Sequence, residues 1–430
     1  MARTPDQVAR RGPGATGGAR EPDAPEGAAP KNAAPKATAS TDAAPGDPGA
    51  NGTPPGPDAR ADGTGGTGDW EGVRLHVVSG KGGTGKTTVA AALALALAAE
   101  GGRTLLIEVE GRQGIAELFG IAALPYEERR IASVSRAQLG LPAVGGAGGP
   151  GAPGGRSTPG GRAGGPGEVF ALAIDTEQAL LEYLDMFYKL GRAGKALQKV
   201  GFVDFATTIA PGVRDVLLTG KACEAARRKG PDGRRAYDAI VMDAPPTGRL
   251  TRFLNVNSEV AGLARFGPIH SQAQAVMRVL RSPETAVHLV TLLEEMPVQE
   301  TVDGFGDLRE AQLPVGGVMV NMVRPPILDA AAVAAVHGDH REEVALALGE
   351  AGLGGRARTG TAVRAAVEPL IGPLLEQARE HAERVDLERA QRADLQHLRL
   401  PTYELPLLGE GVDLGGLYRL AGELKRQGAA

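Results

Sequence analysis

A single cysteine, Cys223, stands in 430 residues, so no intrachain disulfide and no metal site built on several thiolates can form. That fits a reducing compartment, and a lone cysteine in a helical pattern reads as a small buried core residue. No run of 18 apolar residues occurs. The longest, Val89 to Ala99, is too short to span a bilayer and reads as a buried helix. The N-terminal MARTPDQVARRGPGATGG carries arginine but no following apolar stretch, so the sequence predicts a cytoplasmic protein without a secretory signal. An excess of positive charge is missing as well. A formal net charge of -4 argues against a nucleic-acid protein that works through bulk charge, and no nucleic-acid partner is expected.

Large apolar side chains are nearly absent from residues 1 to 70, where Ala, Pro, Gly, Asp, Thr and Arg dominate. Such a stretch cannot bury enough surface to offset chain entropy and is expected to be a disordered tail. A second low-complexity run, residues 139 to 167, is flanked by ordinary sequence and reads as a Gly-rich inserted loop. Compositional bias accounts for both as well as a binding role does. The remainder, 71 to 430, is expected to form one domain.

From Arg74 onward the order is strand, Gly-rich loop, helix, strand: RLHVVS, GKGGTGK, TTVAAALALALAAE, RTLLIEV. Further short apolar runs follow at 168–174, 237–243, 286–292 and 315–321, and LPTYELPLL near the end is strand-like. Continuous apolar strands alternating with helices predict an α/β fold: a mostly parallel sheet covered on both faces, with helical insertions at about 175–230 and 329–399. One helix is expected to open at Pro211. In the second insertion Ile371, Leu375, Ala378, Ala382 and Val385 make one apolar stripe, which packs either on the protein itself or on a partner.

The segment GKGGTGKTT, residues 80 to 88, carries the phosphate-loop pattern: Gly80, Gly85, Lys86 and Thr87 at the required spacing, with a strand before and a helix after. Gly82, Gly83, Thr84 and Thr88 complete the loop. Backbone N–H groups and the helix N-terminus would point at one anion site, Lys86 would reach the β- and γ-phosphates of ATP, and Thr87 would enter a Mg²⁺ shell. Asp243, at the end of the apolar strand in VMDAPPTGRLTRFL, would hold a Mg²⁺-bound water.

The two lysines of KGGTGK resemble the deviant Walker A signature of dimeric P-loop NTPases such as MinD, ParA and ArsA. The resemblance implies that Lys81 acts in trans on the partner subunit's nucleotide; the plainer alternative is an exposed loop lysine. Residues 241–254, 289–301 (LVTLLEEMPVQET) and 317–321 (GVMVN) are similar to blocks of the ArsA and tail-anchored-protein-targeting ATPases, over roughly residues 74–135 and 168–425. Arg249 stands where that family usually has His. By the same resemblance Asn321 would contact adenine, and Pro406 and Leu407 would belong to the base-binding loop.

Departures from the family are specific. The place of its first-switch Asp, which positions or deprotonates the attacking water, is taken by Glu110, with Glu108 two residues earlier. One extra methylene moves the carboxylate about 1.5 Å further from the backbone, so slow hydrolysis is expected. One cysteine cannot build the family's arsenite site, and no CxxC is present for its interfacial zinc. The sequence therefore predicts an ArsA-like ATPase, as a homodimer or as a heterodimer with an ArsA-like paralogue, driving an unidentified client or membrane partner. The rivals are an ATP-binding regulatory or scaffolding subunit with little hydrolysis, and a spatial organiser like MinD or ParA.

Overall fold

The computed structural model describes residues 69–142, 165–188, 212–263, 268–355, 360–409 and 411–430. All but the last two residues of the expected tail, most of the Gly-rich loop and Pro211 lie outside these residues.

Eight strands form one sheet: β1 (Leu75–Gly80), β2 (Arg103–Glu108), β3 (Arg129–Val134), β4 (Gly167–Ala173), β5 (Ala239–Asp243), β6 (Thr285–Thr291), β7 (Val315–Val323) and β8 (Thr402–Pro406). Their order is β3-β4-β2-β5-β1-β6-β7-β8, parallel throughout except for β3 against β4. The α/β expectation holds. The edge strand β3 escapes a reading of the sequence, because RRIASV is half exposed and carries no continuous apolar run.

The helices are α1 (Lys86–Ala98), α2 (Gly114–Leu118), α3 (Thr176–Tyr188), α4 (Val213–Arg227), α5 (Thr247–Leu263), α6 (Pro268–Leu280), α7 (Glu295–Glu310), α8 (Ala330–Ala335), α9 (Arg341–Glu350), α10 (Gly360–Gln396) and α11 (Leu414–Arg426). The Ala/Leu run of α1 is buried on every side, between the sheet and α11. Helices α4 to α7 bury the opposite face, with Cys223 fully enclosed there and its thiol pushed up to about 12 by burial. Helix α4 begins at Val213, after Gly212 in the left-handed region at φ 97°. The stripe on α10 packs within the protein: Ile371 and Leu375 against α9, Ala378, Ala382 and Val385 against Val333 and Val336. Among the described residues no helix is long and apolar enough to cross a membrane.

This topology brings chemistry to one edge. Parallel strands place their carboxyl ends, and the loops that follow, along the same side of the sheet. Register makes the alignment specific: Val78 pairs with Asp243, and Glu108 pairs with the same Asp243.

Candidate functional site

The loop after β1 is shaped by glycines that nothing larger could replace. Gly83 and Gly85 sit at φ 90° and 82°, where a Cβ is strained. A Cβ on Gly85 would also stand 2.4 Å from Asn321 Nδ2, and one on Gly80 would stand 2.2 Å from the Val290 carbonyl oxygen. Thr84 braces the turn from inside, its hydroxyl donating to the Lys81 carbonyl at 2.9 Å. Asn321 Nδ2 donates to the Thr84 carbonyl at 2.9 Å, tying β7 to the loop. Gly82 and Gly83 are exposed. Helix α1 has no side-chain cap, so its first N–H groups are left for an anion. Lys86 and Thr87 open that helix, followed by half-buried Thr88.

Thr87 Oγ1 donates to Asp243 Oδ2 at 2.7 Å. Asp243 is 8% exposed, and its Oδ1 is buried without a partner. Burial pushes this carboxyl up to about 6, with Glu108 and Glu110 adding to the rise while the Thr87 hydroxyl and the Lys86 ammonium oppose it. A buried carboxylate with one oxygen orphaned beside a threonine hydroxyl is a place where a cation would relieve a real cost. Thr87 and Asp243 are the residues that would hold Mg²⁺ here. No cluster of three or more His, Cys, Asp and Glu occurs among the described residues, so a cation here would depend on phosphate oxygens, as Mg²⁺ commonly does.

The two glutamates at the end of β2 and just beyond it divide their work. Glu108, 2% exposed, accepts from the backbone N–H of Gln113 and, at 3.2 Å, from that of Ile115, capping α2. Glu110 is more open and lies 3.6 Å from Arg112 Nε. Helix α2 approaches the loop closely: a Cβ on Gly114 would stand 3.3 Å from Thr87 Cγ2. Lys81 does not extend freely into solvent; its Nζ lies 3.0 Å from Glu300 Oε1. Arg249, at the position where the resembled family usually has His, is exposed on α5, as is Arg252.

Beyond the loop opens a cleft of about 160 Å³, lined by Asn321, Leu407, Leu387, Arg384 and Glu388. Asn321 and Leu407, both expected at the base by the same resemblance, line this cleft together; Leu407 is held beside β7 by its N–H, which donates to the Val323 carbonyl at 2.8 Å. Pro406 ends β8 opposite Val323 and is exposed. The α10 residues of the cleft are missed by sequence reasoning. The available signal is Leu387, a large apolar residue off the α10 stripe and 51% exposed.

Comparison with known proteins agrees with this geometry. Residues 75–338 match the CobQ/CobB/MinD/ParA nucleotide binding domain family. The chain is 46% identical over 358 residues to the ATPase BagA of Mycobacterium tuberculosis (strain ATCC 25618 / H37Rv), covering 83% of this chain and 94% of that protein. A Mycobacterium bovis protein also named as an ATPase, Mb3704, matches with the same identity and coverage.

Proposed function

Since the chain belongs to the CobQ/CobB/MinD/ParA nucleotide-binding family, we propose that it is a dimeric, ArsA-like, Mg-ATP-dependent ATPase whose hydrolysis cycle drives a partner or a transport-related step. The observation that carries this reading is the Thr87–Asp243 pair, with one carboxylate oxygen orphaned beside an uncapped helix N-terminus. Bound Mg²⁺ would neutralise charge developing on the phosphate oxygens.

The chain's own residues divide the remaining tasks. Backbone N–H groups of residues 82 to 88 hold the phosphates, and Lys86 donates to their β- and γ-oxygens. Asn321 and Leu407 hold the base. Glu110 takes a proton from the attacking water as the bond to the γ-phosphorus breaks, leaving ADP and phosphate. Lys81 leaves Glu300 and stabilises the charge on the partner subunit's nucleotide, the role an arginine finger fills elsewhere.

A second reading has its own support. Glu110 is one methylene longer than the family's aspartate and is already paired with Arg112. On this reading the chain binds ATP with little hydrolysis and serves a catalytically competent paralogue. Phosphate release and sedimentation, measured with Mg-ATP for wild type, Lys86→Ala, Lys81→Ala and Glu110→Gln, separate the two. Nucleotide-dependent dimers with turnover lost in all three variants support the ATPase; tight binding without release, equal in wild type and Glu110→Gln, supports the scaffold.

A further inference from the structure

A second cavity, of about 140 Å³, lies among α3, α4, α5 and α6 and shares no lining residue with the nucleotide cleft. Its walls are largely apolar, with Val216 and Leu217 from α4 and Val276 from α6. Charged side chains, Glu182, Lys221, Glu224 and Arg227, share the lining, and a volume near this one is enough for a molecule as large as benzene. Gly220 keeps the room open, since a Cβ there would meet no atom within 4 Å.

One part of the lining is polar in a way the protein itself does not satisfy. Asn257, fully buried, donates from Nδ2 to Thr219 Oγ1 at 2.8 Å. Thr219 in turn gives its only hydroxyl proton to the Asp215 carbonyl at 2.7 Å, so it can offer Asn257 nothing but a lone pair. The amide must therefore present its nitrogen to Thr219 and turn Oδ1 elsewhere, and Oδ1 has no donor among the described residues. Folded proteins rarely leave a buried carbonyl in that state. Glu224, also in the lining, has a buried oxygen without a hydrogen bond; Lys221 Nζ lies 4.0 Å from it. Glu224 is thus charge-paired, and the acceptor that calls for a donor is Asn257 Oδ1. The charged residues of the lining, Glu182 and Glu224 against Lys221 and Arg227, cancel, so the ligand need carry no charge.

We propose that this cavity is a binding site for a small neutral molecule with an apolar body of about one aromatic ring and one O–H or N–H group directed at Asn257 Oδ1. The site is independent of the ATPase reading and stands or falls on binding alone.

Phenol and toluene share the apolar body and differ in the donor, which makes them the probes. Titrated into the full chain by calorimetry, phenol is expected to bind saturably and about ten-fold more tightly than toluene, the value of one well-placed hydrogen bond. Asn257→Leu, of similar shape but without an acceptor, should bring the two within about two-fold. Gly220→Leu, which fills the cavity, should bind neither while keeping its thermal melt and its Mg-ATP affinity. Toluene binding as well as phenol to wild type would mean that the buried carbonyl is met by water alone, and would overturn the proposal. So would phenol binding undiminished in Gly220→Leu, or no saturable binding of either probe. If Asn257→Leu fails to fold, the wild-type ratio and Gly220→Leu still decide.

Discussion

Glu300 Oε1 stands 3.0 Å from Lys81 Nζ, and the other oxygen of the same carboxylate accepts a 3.2 Å hydrogen bond from Thr247. One side chain on α7 thus touches both the phosphate loop and the first residue of the helix that follows Asp243. Both members of the ion pair are about one-third exposed, so it holds Lys81 by no more than about 1 kcal/mol. A stronger anion could draw the lysine away.

Removing Lys81 should therefore cost turnover far more than binding. Lys81→Ala is expected to lower the rate of phosphate release by roughly 10³-fold, the lower range for a trans-acting cation, with Mg-ATP affinity within about three-fold of wild type. Glu300→Gln, which frees the lysine, should leave turnover intact or raise it. A Lys81→Ala protein that turns over normally would return Lys81 to the status of a loop lysine.

Asp243 ties stability to pH in an uncommon direction. Its folded-state value, about 6, lies above the ordinary 3.8, so the folded chain holds more protons than the unfolded one between those values. The contribution is favourable at low pH and is lost as pH rises through about 6, at a cost near 3 kcal/mol in nucleotide-free protein. Asp243→Asn should raise the stability of that protein at pH 7 by up to about 3 kcal/mol, with the gain vanishing near pH 4. The same variant should lose Mg²⁺-dependent stabilisation by ATP. Denaturant titrations at pH 7 and pH 4.5 check both statements.

The histidine pair in the sheet pulls the other way. His288 Nδ1 accepts from the Gly317 N–H at 3.1 Å, so its proton sits on Nε2, 3.1 Å from His76 Nδ1. Burial lowers His76 to about 4 and holds His288 well below its ordinary value. Their folded values lie below the unfolded 6.5, so stability is present above that pH and is lost as pH falls through the window. Each histidine should contribute a slope of about 1.4 kcal/mol per pH unit. In the Asp243→Asn background, where the opposing carboxyl is absent, unfolding followed by the single tryptophan, Trp70, should show the slope between pH 6.5 and 5. A flat profile there would contradict it.

Glu108, which ends β2, and Glu110 just beyond it should separate cleanly. Glu108→Gln keeps one acceptor for the two backbone N–H groups of α2 and should cost about 1–2 kcal/mol of stability. Glu110→Gln should leave the melting temperature unchanged and slow phosphate release by about 10²-fold or more. Unchanged turnover would remove Glu110 from the chemistry.

The loop itself offers a control. Gly85→Ala combines a left-handed backbone with a Cβ 2.4 Å from Asn321, and should abolish ATP binding while destabilising the fold by about 1–3 kcal/mol. If the Gly85→Ala variant binds ATP like wild type, the Asn321 contact yields more readily than its geometry suggests.

The phosphate loop and the central strands are legible in the sequence because their chemistry is local. GKGGTGKTT is contiguous, and buried parallel strands announce themselves as short apolar runs, which is why β1, β2, β4, β5, β6 and β7 stand out. The Thr87–Asp243 pair is partly legible, since a strand-terminal aspartate in a parallel sheet has one edge to occupy. What stays hidden depends on residues distant in sequence. Glu300 lies inside a block singled out for its resemblance, but its contact with Lys81 joins segments far apart in sequence that meet only because β1 and β6 are neighbours. Glu108 looks like a spare carboxylate until its two backbone donors come into view. Leu387 and Arg384 reach the cleft only because tertiary packing sets this part of α10 beside the end of β7.

Helix α1, which carries Lys86 and Thr87 into the site, is covered by α11, and Tyr403 donates a 2.6 Å hydrogen bond to Asp69 across the same region. Among the described helices, the first to leave the ribosome is thus closed over by the last. Until residues 414 to 426 emerge, the Ala and Leu side chains of α1 that face α11 must wait uncovered. A messenger truncated before α11 would yield a protein with every phosphate-loop residue in place and a greasy helix open to aggregation.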